Sequence, residues 1–317
     1  MATTHAHEAA ATTRQGDPKA RTRRLGGEAV RERLLTGMPV TERRLELAGV
    51  STAVLEGGGG PPVVLLHGAG EFAAVWLRVV PELTRTRRVV APDLPGHGAS
   101  VVTGDPPDAG RVAAWLGELI ERACPSPPAL VGHGLGGAIA ARFAADQGDR
   151  VARLVLVDSY GLARYRPSPR FTLAMLGAMA RPTERTQDRL FRQCVTDLDG
   201  LREQLGEWGA LLEAYALDRA RSPGQKAALR SLIPALGPPV IPPAALARIA
   251  VPTSLIWGRH DRQVRLGVAR AASARHGWPL HVIEDAADDP AVEQPQAFLR
   301  GLHAALGPAD PSSRRRP

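Results

Sequence analysis

Residues 129–137 read Ala129-Leu130-Val131-Gly132-His133-Gly134-Leu135-Gly136-Gly137, followed by Ala138-Ile139-Ala140-Ala141. A short apolar run, a glycine-dense turn and an alanine-rich stretch predict a buried strand that passes directly into a helix. Glycines at 132 and 136 fit a turn where strand and helix pass too closely for side chains. The same letters also satisfy G-x-G-x-x-G at Gly132, Gly134 and Gly137, with Asp158 following 21 positions later, so a dinucleotide site is a competing reading. Chain order argues against it, because that fingerprint normally follows a first strand and several strand-like runs precede this one.

Outward from the turn, strands are expected at Arg44–Leu47, Thr52–Leu55, Val63–Leu66, Arg88–Ala91, Ala129–Val131, Leu154–Val157, Ser254–Ile256 and Leu280–Ile283. Helices are expected at Glu28–Leu35, Ala73–Leu83, Ala109–Ala123, Gly136–Gln147, Val268–Arg275 and Gln294–Leu306. This alternation predicts an α/β chain with a mostly parallel, doubly wound sheet. From Tyr160 to Arg248 the rhythm breaks into helical stretches without a good strand, which reads as a helical insertion. The expected organisation is a flexible N-terminal extension over 1–40, a core over 41–159 and 249–306, a helical cap over 160–248 and a disordered tail over 307–317.

Four further motifs share this order. Val63-Val64-Leu65-Leu66-His67-Gly68-Ala69-Gly70 is a strand running into a His-Gly loop. Ala91-Pro92-Asp93-Leu94-Pro95-Gly96-His97-Gly98-Ala99-Ser100 is a D-x-P-G-x-G-x-S turn. Trp257-Gly258-Arg259-His260-Asp261 ends a strand on an acid, and Glu293-Gln294-Pro295 precedes Phe298. Together with the 129–137 turn, they resemble the α/β-hydrolase superfamily from about Val63 to Phe298. The resemblance implies a strand-to-helix elbow of the form G-x-S-x-G, an oxyanion hole formed by the backbone N–H groups of Ala69 and Leu135 beside Gly70, a catalytic acid at Asp261, and a histidine in the loop before Glu293.

This chain departs from that pattern at two places. Gly134 stands where the resemblance places a serine, and Asp288 stands where it places the histidine, leaving Gly134, Asp261 and Asp288 as the three triad positions. Without a hydroxyl at 134 no acyl-enzyme forms there. Without an imidazole at 288 the usual proton relay is missing. The sequence therefore points to an enzyme that is not a conventional serine hydrolase. Expected chemistries are lyase, cyclase, isomerase or water-mediated hydrolysis, with Asp261 and Asp288 as a facing carboxylate pair. A silent relative that binds a ligand or partner is the alternative, and a nucleotide binder the third. Glu71, Trp76, His133, Ser159, Tyr160 and His260 are further pocket candidates. Glu71 is either a surface charge or a polar contact, and His133 is expected to point away from the substrate.

Composition bounds the rest. The formal charge of +8 is carried mostly by the ends, with nine Arg/Lys against five Asp/Glu over residues 1–44 and Arg314, Arg315 and Arg316 against Asp310 in the tail. That distribution does not describe a nucleic-acid groove. Cys124 and Cys194 have no metal-ligand or disulfide spacing. No apolar run reaches a membrane span. Arg23-Arg24 has no apolar segment behind it, so a cytoplasmic protein is expected, with a small-molecule ligand, no membrane contact, no cofactor and no metal.

Overall fold

The computed structural model describes residues 25–308. The valine- and leucine-rich runs form one sheet of β1 (Thr41–Leu47), β2 (Val50–Gly57), β3 (Pro62–Leu66), β4 (Arg88–Pro92), β5 (Val101–Val102), β6 (Ala129–His133), β7 (Arg153–Val157), β8 (Thr253–Gly258) and β9 (Leu280–Ile283). The strand order is β1-β2-β4-β3-β6-β7-β8-β9, with β5 on β2. Pairs involving β2 are antiparallel, and every pair from β4 to β9 along that order is parallel. Every residue of β3, β6 and β8 is buried, as expected of strands covered on both faces.

Side-chain alternation divides the core into two layers. Val64, Leu66, Leu130, Leu154, Leu156, Leu255 and Trp257 point to one side and pack with Trp115, Leu119 and Phe143. Val63, Leu65, Val131, Val155, Val157 and Ile256 point to the other and pack with Trp76, Phe298 and Leu302. The covering helices are α1 (Gly27–Leu35), α2 (Val80–Leu83), α3 (Ala109–Ala123), α4 (Gly134–Asp146), α5 (Pro169–Ala180), α6 (Glu184–Cys194), α7 (Leu198–Arg221), α8 (Pro223–Leu236), α9 (Pro243–Leu246), α10 (Leu266–His276), α11 (Pro290–Glu293) and α12 (Pro295–Leu306). The stretch between β7 and β8 holds helices α5 to α9 and no strand, and is inserted between two neighbouring parallel strands of the sheet.

Three differences from the sequence reading have local causes. Ala73–Leu83 is not one helix but a 3-10 segment, Ala73–Arg78, followed by α2. Pro81 lacks the amide hydrogen needed to continue a helix from the preceding turn. The two-residue strand β5 was not foreseen. It pairs Val50 with Val102 and Ser51 with Val101, a two-residue contact too short to leave an alternating pattern.

The third difference concerns the N-terminal extension. Flexibility was expected over residues 1–40, and residues 1–24 lie outside those described. From Gly27 the chain is packed. Val30 and Leu34 are buried, and Arg31 reaches Asp93 at 2.9 Å and Glu42 at 2.5 Å. Burial of an amphipathic face and a buried ion pair fix this helix, an outcome its charge-rich sequence does not show. In the expected disordered tail, residues 309–317 lie outside the described part.

Candidate functional site

The elbow has the geometry that the sequence suggested. β6 ends at His133 and α4 begins at Gly134, whose φ of +50° lies in the left-handed region. A side chain at Gly132 would sit 2.4 Å from the Gly136 carbonyl, and one at Gly136 would sit 2.4 Å from the Leu66 carbonyl. Both glycines are therefore steric requirements of the helix–strand contact. Gly134 is different, because the nearest atoms to a side chain there would be Gly68 Cα at 3.7 Å and the Tyr160 ring at 3.9 Å. The apex has room for a side chain and lacks one.

The third glycine of the dinucleotide reading, Gly137, packs against Ser159, whose Oγ would lie 2.4 Å from a side chain there. Asp158 turns its Oδ1 to the Gly258 amide at 3.0 Å. The glycines are used for packing and the acid is used internally, so neither is left for a pyrophosphate or a ribose.

Around the apex the tertiary structure gathers His133, Glu71 and a set of aspartates from separate loops. Glu71 Oε2 accepts from the Gly68 amide at 2.6 Å and lies 3.1 Å from His133 Nδ1. His133 Nε2 lies 3.7 Å from Asp288 Oδ1. The imidazole thus faces the place expected of a histidine at 288, and the reading that it points away from the site is corrected. Strand β6 puts residue 133 at the carboxyl edge of the sheet, where the Glu71 loop and the Asp288 loop converge on it. Burial pulls the His133 pKa down, but Glu71 and Asp288 together outweigh it and hold the imidazole well above its ordinary value. For Glu71 burial acts upward, and His133 more than offsets it, so the carboxyl lies below its ordinary range. The 3.1 Å contact to a buried imidazole makes Glu71 a polar contact of this cluster rather than a surface charge.

Asp261 and Asp288, expected to face one another, are joined through Gln263. The Gln263 amide donates to Asp261 Oδ1 at 2.6 Å, and its side-chain amide donates to Asp288 Oδ2. Val264 N adds a second bond to Asp261 Oδ1 at 3.0 Å. Tyr160 OH donates to Gln263 Oε1 at 2.7 Å, placing Tyr160 in the same network. Among the described residues, Asp261 Oδ2 and Asp158 Oδ2 are buried without a hydrogen-bond partner. Burial first, and repulsion between the acids second, raise Asp158 and Asp261 well above ordinary carboxyl values. Burial likewise raises Asp289 and Asp288, the latter opposed by its contacts with His133.

The remaining candidates separate clearly. Ser159 is fully buried and donates to the Tyr160 carbonyl at 2.9 Å, so it is no displaced nucleophile. His260 is exposed and lies outside the cluster. Trp76 is buried 6.0 Å from the Phe298 ring. It lines a gap of about 10 Å³ together with His133, Val157 and Asp289, roughly the space of one water molecule. Ala69 and Gly70 are half-buried beside the apex, and Leu135 is buried in the first turn of α4.

Gln225 of α8 is buried and donates to the Gly70 carbonyl at 3.2 Å, tying the inserted helices to this loop. A larger cavity, about 430 Å³, lies between α1 and the inserted helices, lined by residues such as Val30, Arg185 and Leu217. None of its lining residues belongs to the elbow cluster.

Sequence reading missed Asp158 as a site acid, Gln263, Asp289 and Gln225. Only the Asp289 position carried a signal, as the neighbour of Asp288. Among the described residues, Glu71, His133 and Asp289 each offer a ligand atom within 4.8 Å of the others, and these are the residues that would hold a cation if one bound here.

Comparison with known proteins agrees with this architecture. A model of the alpha/beta hydrolase family matches residues 63–300. The chain is 34% identical over 256 residues to the pimeloyl-[acyl-carrier protein] methyl ester esterase of Chromobacterium violaceum, covering 76% of this chain and 92% of that protein. It is 29% identical over 243 residues to the 2-hydroxy-6-oxononadienedioate/2-hydroxy-6-oxononatrienedioate hydrolase of Klebsiella pneumoniae, covering 72% and 81%. The 2-hydroxy-6-oxo-6-phenylhexa-2,4-dienoate hydrolase of Rhodococcus sp. strain RHA1 shares its fold at a TM-score of 0.73 and 24% identity, over 84% of this chain and 98% of that one. With the motifs, the sheet order and the elbow, these matches establish that the chain belongs to the alpha/beta hydrolase family.

Proposed function

We propose that this family member acts on a small molecule by proton transfer rather than through an acyl-enzyme. The observation carrying this reading is His133, held 3.1 Å from Glu71 and 3.7 Å from Asp288, beside an apex, Gly134, that bears no nucleophile. An imidazole between two carboxylates is a competent proton carrier. Glu71 fixes the ring through Nδ1, leaving Nε2 on the side of Asp288. Asp261 and Asp288, coupled through Gln263, supply further acid groups in a dry environment that favours their protonated forms. The backbone amides of Ala69 and Leu135, at the loop and the α4 N-terminus, would stabilise a developing oxyanion.

Water-mediated hydrolysis, lyase, cyclase and isomerase chemistry all use these parts. The names of the relatives make esters and oxo-dienoates the first compounds to offer. The test is turnover of activated p-nitrophenyl esters and of 2-hydroxy-6-oxo-dienoates by the wild type, His133→Gln, Asp288→Asn and Asp261→Asn. Loss of turnover of about a hundredfold or more in the His133 and Asp288 variants is expected. Turnover unchanged in both would sink the mechanism.

One observation favours a second reading, a silent relative that binds a ligand or partner. The gap beside His133 is only about 10 Å³, and Tyr160 and Gln263 are buried and hydrogen-bonded to each other at 2.7 Å. Under this reading no product forms from either panel on long incubation. Under the first, the inserted helices open to admit substrate, with the Gln225–Gly70 contact as the link that must break.

A further inference from the structure

From Tyr160 to Thr183 the chain has four arginines, Arg164, Arg166, Arg170 and Arg181, and no aspartate or glutamate. Within this stretch α5 carries Phe171-Thr172-Leu173-Ala174-Met175-Leu176-Gly177-Ala178-Met179-Ala180, ten residues without a charge. A helix of that composition is normally buried. Here only Phe171 is buried. Leu173, Leu176 and Met179 are 75%, 55% and 51% exposed, and they are three of the five large apolar side chains exposed among the described residues. Their spacing of three places them along one stripe of the helix.

The surrounding arginines are equally unpartnered. Arg192, Arg202 and Arg219 on the next two helices are each ion-paired, to Asp188 and Asp199, to Asp188 and Glu213, and to Asp218. Arg164, Arg166, Arg170 and Arg181 are exposed, and their side chains make no hydrogen bond or ion pair among the described residues. An apolar stripe with free guanidinium groups at both ends and no acid within it matches a surface that is apolar below and anionic above. An acyl layer beneath acidic headgroups has that arrangement.

We infer that α5 docks the protein onto an anionic lipid surface, lying in the plane of the interface with Leu173, Leu176 and Met179 inserted and Arg170 and Arg181 at headgroup level. Membrane contact is not expected from the sequence, which has no apolar run of spanning length. No described helix is long and apolar enough to cross a membrane, and in-plane docking does not require one. The inference is independent of the chemistry proposed for the elbow, because no residue of the His133 cluster takes part.

The test is co-sedimentation of the full chain with vesicles of phosphatidylcholine alone and of phosphatidylcholine mixed with phosphatidylglycerol. Binding to the mixed vesicles is expected to be about tenfold or more tighter and to weaken with salt. Leu173→Glu with Leu176→Glu should abolish it. Arg170→Gln with Arg181→Gln should weaken it by about tenfold. Replacement of Arg314, Arg315 and Arg316 by glutamine should leave it in place. These positions on α5 are exposed, and circular dichroism of each variant checks that the fold is kept. Binding that survives the leucine pair, or that is lost with the tail arginines, overturns the inference. So does absence of vesicle binding, including the case where the leucine pair instead dissociates a dimer or releases an acidic protein partner.

Discussion

Asp93 and Asp158 are both fully buried aspartates, each directly after the carboxyl end of a strand, β4 and β7, and they are treated in opposite ways. Asp93 Oδ1 accepts from the Ala73 amide at 2.7 Å, and Oδ2 accepts from the Ala99 amide at 2.8 Å and pairs with Arg31 at 2.9 Å. Asp158 has one bond, from the Gly258 amide, an unpartnered Oδ2 and a repelling neighbour in Asp261. The first is a structural tie that joins the 3-10 segment, the D-x-P-G-x-G-x-S turn and α1. The second belongs to a cluster whose parts are not satisfied by one another. Buried polar groups left without partners cost free energy, and they persist where the arrangement serves something other than stability.

The comparison predicts the largest loss at the satisfied acid. Asp93→Ala removes the fully buried one of Arg31's two carboxylate partners, leaving Glu42, and frees two amides, so unfolding in urea should show a loss of about 3–5 kcal/mol. A loss below about 1 kcal/mol would break the contrast at its strong end. The elbow glycines offer a similar pair. Gly132→Ala meets the Gly136 carbonyl backbone and should cost about 3 kcal/mol. Gly134→Ser has room and suffers only its positive φ, so it should cost about 1–2 kcal/mol. Equal effects would mean that φ, rather than close approach, governs the elbow. Gly134→Ser should also remain without ester-cleaving burst kinetics, because Asp288 supplies no imidazole, whereas adding Asp288→His should introduce them.

The smallest effect is a gain. Asp158→Asn keeps an oxygen for the Gly258 amide and removes a carboxylate from beside Asp261, and should stabilise the fold by about 0.5–1 kcal/mol at pH 8. The sign depends on pH. Asp158, Asp261 and Asp289 have folded-state pKa values above their ordinary 3.8, so the native state holds more protons and wild-type stability falls as pH rises past that value. His133, raised above 6.5, stabilises fully below 6.5 and loses that contribution as pH rises through its folded value. Glu71, lowered below 4.5, acts in the other direction and only at the acid end. His67 and His97, lowered below 6.5 by burial, act against this decline below that value, so melting temperature should fall from about pH 6.5 toward pH 8, with a flatter decline in Asp158→Asn. A rising profile across that range would show that the cluster is ionised and satisfied.

Much of this architecture was readable from local pattern. The runs Val63–Leu66 and Leu154–Val157 are strands, because short β-branched and leucine stretches bounded by turn residues bury both faces in a parallel sheet. The D-x-P-G-x-G-x-S turn around Asp93 and the glycines at 132 and 136 were likewise legible, since each is needed by backbone geometry within a few residues. The carboxylate at 261 was found at a buried position of the site by motif alone.

What the sequence by itself determined is the order of strands and helices, the elbow and its missing nucleophile, because these depend on side chains acting within one turn or one strand. The tertiary structure alone decided that His133 meets Glu71 and Asp288, that Gln263 stands between two expected partners, and that Ser159 and His260 take no part. It also decided that α1 is packed and that α5, apolar throughout, is left on the surface. Each of these depends on which loops the sheet order brings to one edge and which helix faces find a partner. His133 and Glu71 are 62 residues apart, α1 meets Tyr215 across 184, and even Gln263 reaches Asp288 across 25, and no local pattern encodes contacts across such spans.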